Sequence, residues 1–432
     1  MSKTFNIKTL GCKVNQYESE AIEELFRKRG FEKKEKNADI YVVNTCTVTN
    51  MSDRKSRQTI SKARKENKNA VIAVIGCYSQ VKADEVAEID GVDIVLGSRN
   101  KEEVVDLCEN FINNNIKTED VGEFVKGEAI EDLEISNQAD MTRAYIKIQD
   151  GCNMYCSYCL IPYARGNIAS RSLVSIIDEA KRLRNNGFKE IVLTGIHVAS
   201  YGKDLDLEIS LIDIIEHIAK IDGIERIRLS SMEPRHIDRD FLQRMKASKK
   251  ACDHFHLSLQ SGSDDILRLM NRKYDTKVFK EKVDLIREYF PNAGLTTDII
   301  VGFPNESEKN HEETKEFIKE IRFSKIHLFK YSKRDGTKAA SIKNQVDGNI
   351  KKIRSKELAE IEKEISHEFL DKQIGRTLSV LFETKTELEG YKSGYSTNYL
   401  RVHTKDKVEI NTIKNVKISK RKEDFLIGHI ID

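Results

Sequence analysis

Residues 150–162 read "DGCNMYCSYCLIP" and place three cysteines, Cys152, Cys156 and Cys159, at spacings of four and three. Two cysteines would make a redox pair, and four would close a zinc site. The redox-pair reading leaves Cys152 idle, and Pro162 argues against a helix directly after the pair. The zinc reading lacks a fourth ligand nearby. An iron–sulfur cluster held by three thiolates uses all three cysteines and leaves one iron open to an exogenous ligand.

A chain of 432 residues is long enough for two or three domains. Its 39% hydrophobic and 33% charged residues suit a globular protein, and a net charge of +3 points to no partner in bulk. The longest apolar run, "AVIAVIGC" at 70–77, is strand-sized and too short to span a membrane. The start, "MSKTFNIKTLGC", shows no apolar signal core, so a cytoplasmic location is expected. In a reducing compartment, clustered cysteines among the eight serve metal binding or catalysis rather than disulfides.

Apolar periodicity organises the chain around this motif. Residues 1–117 alternate strand and helix, with strands expected at 5–12, 39–46, 70–77 and 93–98, which implies a doubly wound parallel sheet. Residues 118–140 carry eight acids (Glu119, Asp120, Glu123, Glu128, Glu131, Asp132, Glu134, Asp140) against Lys126 and read as a solvated linker with room for short strands. Residues 141–370 resume the alternation with six strands, too few for an eightfold barrel, so a partial (β/α)6 barrel is expected. The stretch 353–375 reads as a connecting helix with Leu358, Ile361, Ile365 and Phe369 on one face. Residues 371–432 turn to short strands, expected to close a small antiparallel barrel. That last unit holds twelve basic and nine acidic residues, with tyrosines interleaved at "GYKSGYSTNYLRV". Such surfaces bind RNA loops and single strands.

A second cysteine set emerges from the strand pattern. Cys12, Cys46 and Cys77 each end a predicted strand: "TLGC", "VVNTC", "AVIGC". Carboxyl ends of neighbouring parallel strands converge on one crevice, so three thiols should meet there, again without a fourth. Cys108 lies inside a helical pattern and Cys252 precedes a strand; both read as structural.

Cys-x-x-x-Cys-x-Tyr-Cys, with Tyr158 as the aromatic, resembles the signature of the radical S-adenosylmethionine (SAM) enzymes. The resemblance implies a 4Fe–4S cluster on Cys152, Cys156 and Cys159 whose open iron binds SAM. It also implies SAM contacts at Gly195 of "LTGIHV", Ser231 and Glu233 of "SSMEP", and Gly302 of "DIIVGFP". His197 and His256 read instead as polar fillers of the barrel.

Across roughly residues 3–432 the chain resembles the methylthiotransferases, through "TLGCKVNQYES", "VVNTCTVT", "GCNMYCSYCLIPYARG", "HLSLQSGS", "LMNRKY" and "TTDIIVGFPNE". Those enzymes combine an N-terminal cluster domain, a radical SAM barrel and a C-terminal TRAM barrel. The resemblance implies two 4Fe–4S clusters, the second on Cys12, Cys46 and Cys77, and two SAM molecules per turnover. One SAM supplies a methyl group to sulfur; the other supplies the radical that removes hydrogen from carbon 2 of a modified adenine. "GCKVNQYES" and "CSYCLIPYARG" look most like the branch acting on N6-threonylcarbamoyladenosine (t6A) in tRNA. The isopentenyladenosine and ribosomal-protein aspartate branches are the alternatives within the family, and a non-catalytic iron–sulfur RNA sensor is the alternative outside it. A flavodoxin- or ferredoxin-like reductant, a monomeric state and no membrane contact are further expectations.

Overall fold

Strands that are apolar on both sides need cover on both faces, and the first sheet has it. The computed structural model describes residues 3–125, 127, 130–131, 133–135, 141–384, 386 and 388–431. Strands β1 (Thr4–Thr9), β2 (Glu32–Lys33), β3 (Ile40–Thr45), β4 (Val71–Gly76), β5 (Ile94–Leu96) and β6 (Thr118–Asp120) form one parallel sheet, ordered β2-β1-β3-β4-β5-β6. Alternate residues feed two cores. Ile40 and Val42 pack with Phe5, Ile22 and Phe26, while Tyr41 and Val43 pack with Ile60 and Tyr78 on the other face. This is the expected doubly wound arrangement, and its order reverses between β1 and β3.

The acidic stretch is less solvated than its composition suggests. Thr118–Asp120, expected in the linker, form β6 and complete the sheet edge. Leu133 and Ile135 are buried in a seam between Tyr17 and Ala21 of the first helix (Lys13–Lys28) and Tyr145 and Val192 of the second unit. Two apolar residues among many acids give no periodicity to read, yet they dock the segment. Lys126, Glu128, Asp132 and Asp140 lie outside the described residues.

Six parallel strands then form an open arc: β7 (Ala144–Asp150), β9 (Glu190–Gly195), β10 (Arg226–Leu229), β11 (His254–Gln260), β12 (Gly294–Val301) and β13 (Lys325–Lys330). Isolated bridges Ile227–Ala251 and Met232–Leu257 join its two halves, and the two-residue β8 (Ala169–Ser170) runs antiparallel to the end of β7. The long helix Gly348–Asp371 closes against the barrel core through Leu358 and Ile365.

The chain ends in a closed barrel of β14 (Thr377–Glu383), β15 (Lys392–Ser396), β16 (Arg401–Thr404), β17 (Ile413–Lys422) and β18 (Phe425–Ile430). Four of its five neighbour pairs are antiparallel, as expected, and β16 closes on β18 in parallel. Arginines of the arc grip this unit. Arg226 donates to the Tyr395 carbonyl at 3.0 Å, and Arg228 to the Thr397 and Ser396 carbonyls at 2.9 and 3.1 Å. Glu190 on β9 compensates their charge, 2.8 Å from Arg228 Nε and 3.1 Å from Arg143 Nε.

These guanidiniums outweigh the burial penalty and hold the Glu190 carboxyl down from 4.5 to about 2. A depressed carboxyl stabilises the fold above its unfolded pKa and loses that effect as pH falls through the folded value. Glu190 should therefore contribute about 3 kcal/mol at neutral pH. Urea melts of wild type and Glu190→Gln should differ most above pH 5, and the gap should shrink between pH 4.5 and 2. A gap that stays constant down to pH 2 contradicts this assignment.

Candidate active site between two cysteine triads

Cys12 follows β1, Cys46 follows β3, and Cys77 opens the short helix Cys77–Val81 directly after β4. The three thiols thus gather at the carboxyl end of the sheet, beside the β1/β3 reversal, where doubly wound sheets bind ligands. Gly11 (φ +104°) permits the approach, because a Cβ there would lie 2.7 Å from Cys46 Cβ and 3.0 Å from its Sγ. Asn15 ties the loops together. Its amide donates to the Leu10 and Thr45 carbonyls, both at 2.8 Å, and its oxygen lies 3.7 Å from Cys12 Sγ.

Cys152, Cys156 and Cys159 occupy the loop after β7. Ser157 pins that loop, donating through N–H to Met270 O at 3.0 Å and through Oγ to Leu269 O at 2.8 Å. A short helix, Ile161–Arg165, follows at once, contrary to the expectation from Pro162. Proline is tolerated in a first turn because its missing N–H would have had no helical partner there.

Each triad has an arginine at a sulfur. Arg165 Nε donates to Cys77 Sγ at 3.2 Å, and an Arg272 guanidinium N–H donates to Cys156 Sγ at 3.3 Å. The Ile161 N–H reaches Cys159 Sγ at 3.4 Å. Burial pushes the Cys77 thiol up to about 11 and the Cys159 thiol to about 12, so a thiolate at either place needs a positive partner such as iron. Among the described residues, only His197, Glu233 and His236 bring three ligand atoms within 4.8 Å of one another. Neither cysteine triad meets that spacing, and each supplies three sulfur donors. Cys108 and Cys252 lie apart, buried in the first sheet's core and beside Arg228.

The remaining expected contacts divide. Tyr158 packs edge-on against Phe303 and lines a pocket of about 260 Å³, together with Cys159 and with Thr47–Thr49, which follow Cys46. Ser231 lines a larger cavity of about 870 Å³. Gly195 ends β9 where a Cβ would stand 2.8 Å from the Gln149 carbonyl, so close strand approach demands glycine there. Glu233 is buried and committed to Arg235 at 2.7 and 3.0 Å. Gly302 (φ +71°) lines neither cavity: its N–H donates to Glu306 at 3.0 Å, and Lys351 fills the space beside it. His256 is a satisfied filler, bonded to Thr296 Oγ1 at 2.9 Å and Asp298 at 3.2 Å. His197 is buried with neither ring nitrogen bonded among the described residues, and burial lowers its pKa to about 4.

The 870 Å³ cavity is walled by all three units: Cys12 from the first sheet, β10–β13 from the arc, and Tyr395 and Tyr399 from the closed barrel. It shares Asp298 and Phe329 with the 260 Å³ pocket at Cys159. The two cysteine loops therefore open onto adjoining space. Tyr395 and Tyr399 are half-buried and stack at 4.7 Å, with Arg143 and Arg401 guanidiniums over the Tyr395 ring at 5.0 and 4.8 Å. Two of the three tyrosines expected on an outer RNA surface thus line the central cavity instead, whereas Tyr391 packs against His403 and Lys405. Arg165 and Arg272 escaped the sequence reading, although both lie inside motifs it singled out, "CLIPYARG" and "LMNRKY".

Residues 146–318 match the radical SAM superfamily, and residues 4–97 match a family described as uncharacterized protein family UPF0004. The chain is 39% identical over 430 residues to the threonylcarbamoyladenosine tRNA methylthiotransferase MtaB of Bacillus subtilis, covering 98% of this chain and 95% of that protein. It is 35% identical to the tRNA-2-methylthio-N(6)-dimethylallyladenosine synthase of Clostridium botulinum, covering 99% and 97%. A solved radical SAM methyltransferase, TsrM from Kitasatospora setae, shares the fold with a TM-score of 0.62 at 14% identity, covering 79% of this chain and 77% of that one. With a radical SAM domain, whose chemistry uses SAM and a 4Fe–4S cluster, and full-length similarity to these enzymes, the chain belongs to the radical SAM methylthiotransferase family.

Proposed function

We propose that this enzyme converts t6A beside the tRNA anticodon to 2-methylthio-t6A. It would use one cluster on Cys152, Cys156 and Cys159 and a second on Cys12, Cys46 and Cys77. The observation that carries the reading is the adjoining pair of cavities, through which both triads face one space. When bound, the clusters and SAM supply the radical and the methylthio group that replaces hydrogen at carbon 2 of the adenine.

The chain's own residues do the rest. Arg165 and Arg272 hold positive charge and N–H donors against Cys77 and Cys156. Tyr158 lines the smaller pocket and Ser231 the larger cavity, the two spaces that could receive SAM. Gly195 lets β9 close against Gln149 and Glu233 is held by Arg235, both outside the cavity linings. Gly302 would act at one remove, by shaping the turn after β12. The stacked Tyr395 and Tyr399 offer a face for the base. On the outside, Lys414, Lys417 and Lys420 of β17 are exposed and suit the tRNA backbone. We further propose that the enzyme works as a monomer in the cytoplasm with a flavodoxin- or ferredoxin-like reductant. No helix among the described residues is long and apolar enough to cross a membrane.

Nucleoside mass spectrometry of tRNA from a deletion strain should show t6A without its methylthio form. Retention of the methylthio form, or loss of methylthio-isopentenyladenosine instead, contradicts the assignment. Anaerobic reconstitution should yield about eight irons per chain, unchanged in Cys108→Ala and Cys252→Ala.

The triads should divide the reaction. Cys156→Ala should abolish 5′-deoxyadenosine formation. Cys46→Ala, once shown to be folded, should still cleave SAM but transfer no methylthio group. Both products are measured in one tube, and normal methylthiolation by Cys46→Ala removes the second cluster from the proposal.

Replacing Lys414, Lys417 and Lys420 together with Gln should weaken tRNA binding. It should also lower the slope of log K against log salt by about one unit for each phosphate that is no longer neutralised. An unchanged slope places the tRNA elsewhere.

A further inference from the structure

Six charged side chains other than histidine line the 870 Å³ cavity: Lys13, Arg228, Asp298, Lys325, Arg401 and Asp424. Five of them touch a group able to carry the opposite charge, although Glu190 also serves Arg143 and Arg226, and Glu383 also serves Arg143. Arg228 pairs with Glu190 at 2.8 Å, Lys325 with Glu362 at 3.1 Å and Arg401 with Glu383 at 2.7 Å. Asp424 meets His367 at 2.9 Å, and Asp298 meets His256 at 3.2 Å. Lys13 has no carboxylate partner among the described residues; its ammonium lies 5.3 Å from the centroid of the Tyr145 ring. Lys13 is exposed and lines the cavity beside Cys12, at the end where the first sheet meets the arc. Such an ammonium gains most from an anion that arrives with the substrate, because a charge-assisted bond then replaces water that is already restricted.

We propose that Lys13 receives the carboxylate carried by the N6 substituent of the substrate adenine, and so selects threonylcarbamoyl over neutral alkyl substituents. The inference rests on the t6A reading above. The backbone phosphates of tRNA are the other anions available, but every RNA carries them, so they do not distinguish substrates. The place of Lys13 on the cavity lining suits a group that enters with the base.

The test is equilibrium binding of the full chain to three anticodon stem-loops that differ only in the adenosine beside the anticodon: t6A, unmodified adenosine and N6-isopentenyladenosine. Lys13→Met should weaken the t6A oligonucleotide roughly 10- to 100-fold, as expected for a bond to a charged group. It should leave the other two within about twofold. Lys13→Arg, which keeps the charge, should retain most of the preference. Far-UV dichroism and iron content check that each variant is folded and loaded. Equal losses on all three oligonucleotides would assign Lys13 to backbone phosphate and overturn the proposal, as would no loss on any. Wild-type methylthiolation of the isopentenyl oligonucleotide and not the t6A one would overturn the functional reading itself. Wild-type action on t6A with an unaffected Lys13→Met variant would overturn only the role of Lys13.

Discussion

Arg165 is fully buried where the first sheet meets the arc, and the placement of both triads depends on it. Its guanidinium donates to Cys77 Sγ at 3.2 Å, to Asn15 Oδ1 and Glu18 Oε1 at 2.6 Å, and to Asp150 at 3.0 Å. Glu18 also meets Lys147 at 2.8 Å and Lys101 at 3.2 Å, and Lys147 returns to Asp150 at 2.6 Å. Cations and carboxylates from both units alternate through this knot, and the cations hold the Glu18 carboxyl well below its usual range despite complete burial. A buried ion cluster adds little net stability over an apolar one, but removing one member costs about 3–5 kcal/mol because its partners stay charged. Its value here is register. Arg165 stands six residues after Cys159 and touches Cys77, so it fixes one cysteine loop against the other.

Much of this architecture can be read from residue pattern. Alternation of apolar residues marks the strands, and three cysteines at three strand ends follow from the same alternation. The knot cannot be read that way. Arg165 and Glu18 lie 147 positions apart, and nothing local in "YARG" or "YESE" says that two charges meet in a dry interior. Periodicity reports which face of an element is buried, not which distant element covers it. The same limit explains Leu133 and Ile135, which pack a seam inside an acidic stretch. It also explains Gly302, whose neighbourhood is filled by Lys351 from a helix almost fifty residues on.

The tyrosines of the last barrel carry a related lesson. Tyr395 and Tyr399 stand among polar residues in sequence, Tyr395 near the end of β15 and Tyr399 in the turn that follows. The inward face of that barrel is filled by Val380, Phe382, Val402 and Val416, so the tyrosines must point outward. Outward, however, is towards the arc. Arg226 and Arg228 draw that segment in by its carbonyls, and Arg143 and Arg228 then lie against the rings. The last barrel thereby becomes one wall of the central cavity.

The two triads also differ in how they face that space. In the first, Cys46 and Cys77 are buried and Cys12 is exposed, so the triad is open to solvent on the Cys12 side. Cys12 lines the larger cavity, and Cys159 lines the smaller pocket that shares Asp298 and Phe329 with it. The spaces in front of Cys12 and Cys159 therefore meet at those two residues. The open arc is what makes this possible. A closed eightfold barrel would fill its centre with side chains, whereas six strands leave a gap that the first sheet and the last barrel complete. Three units thus enclose one cavity that none of them could form alone.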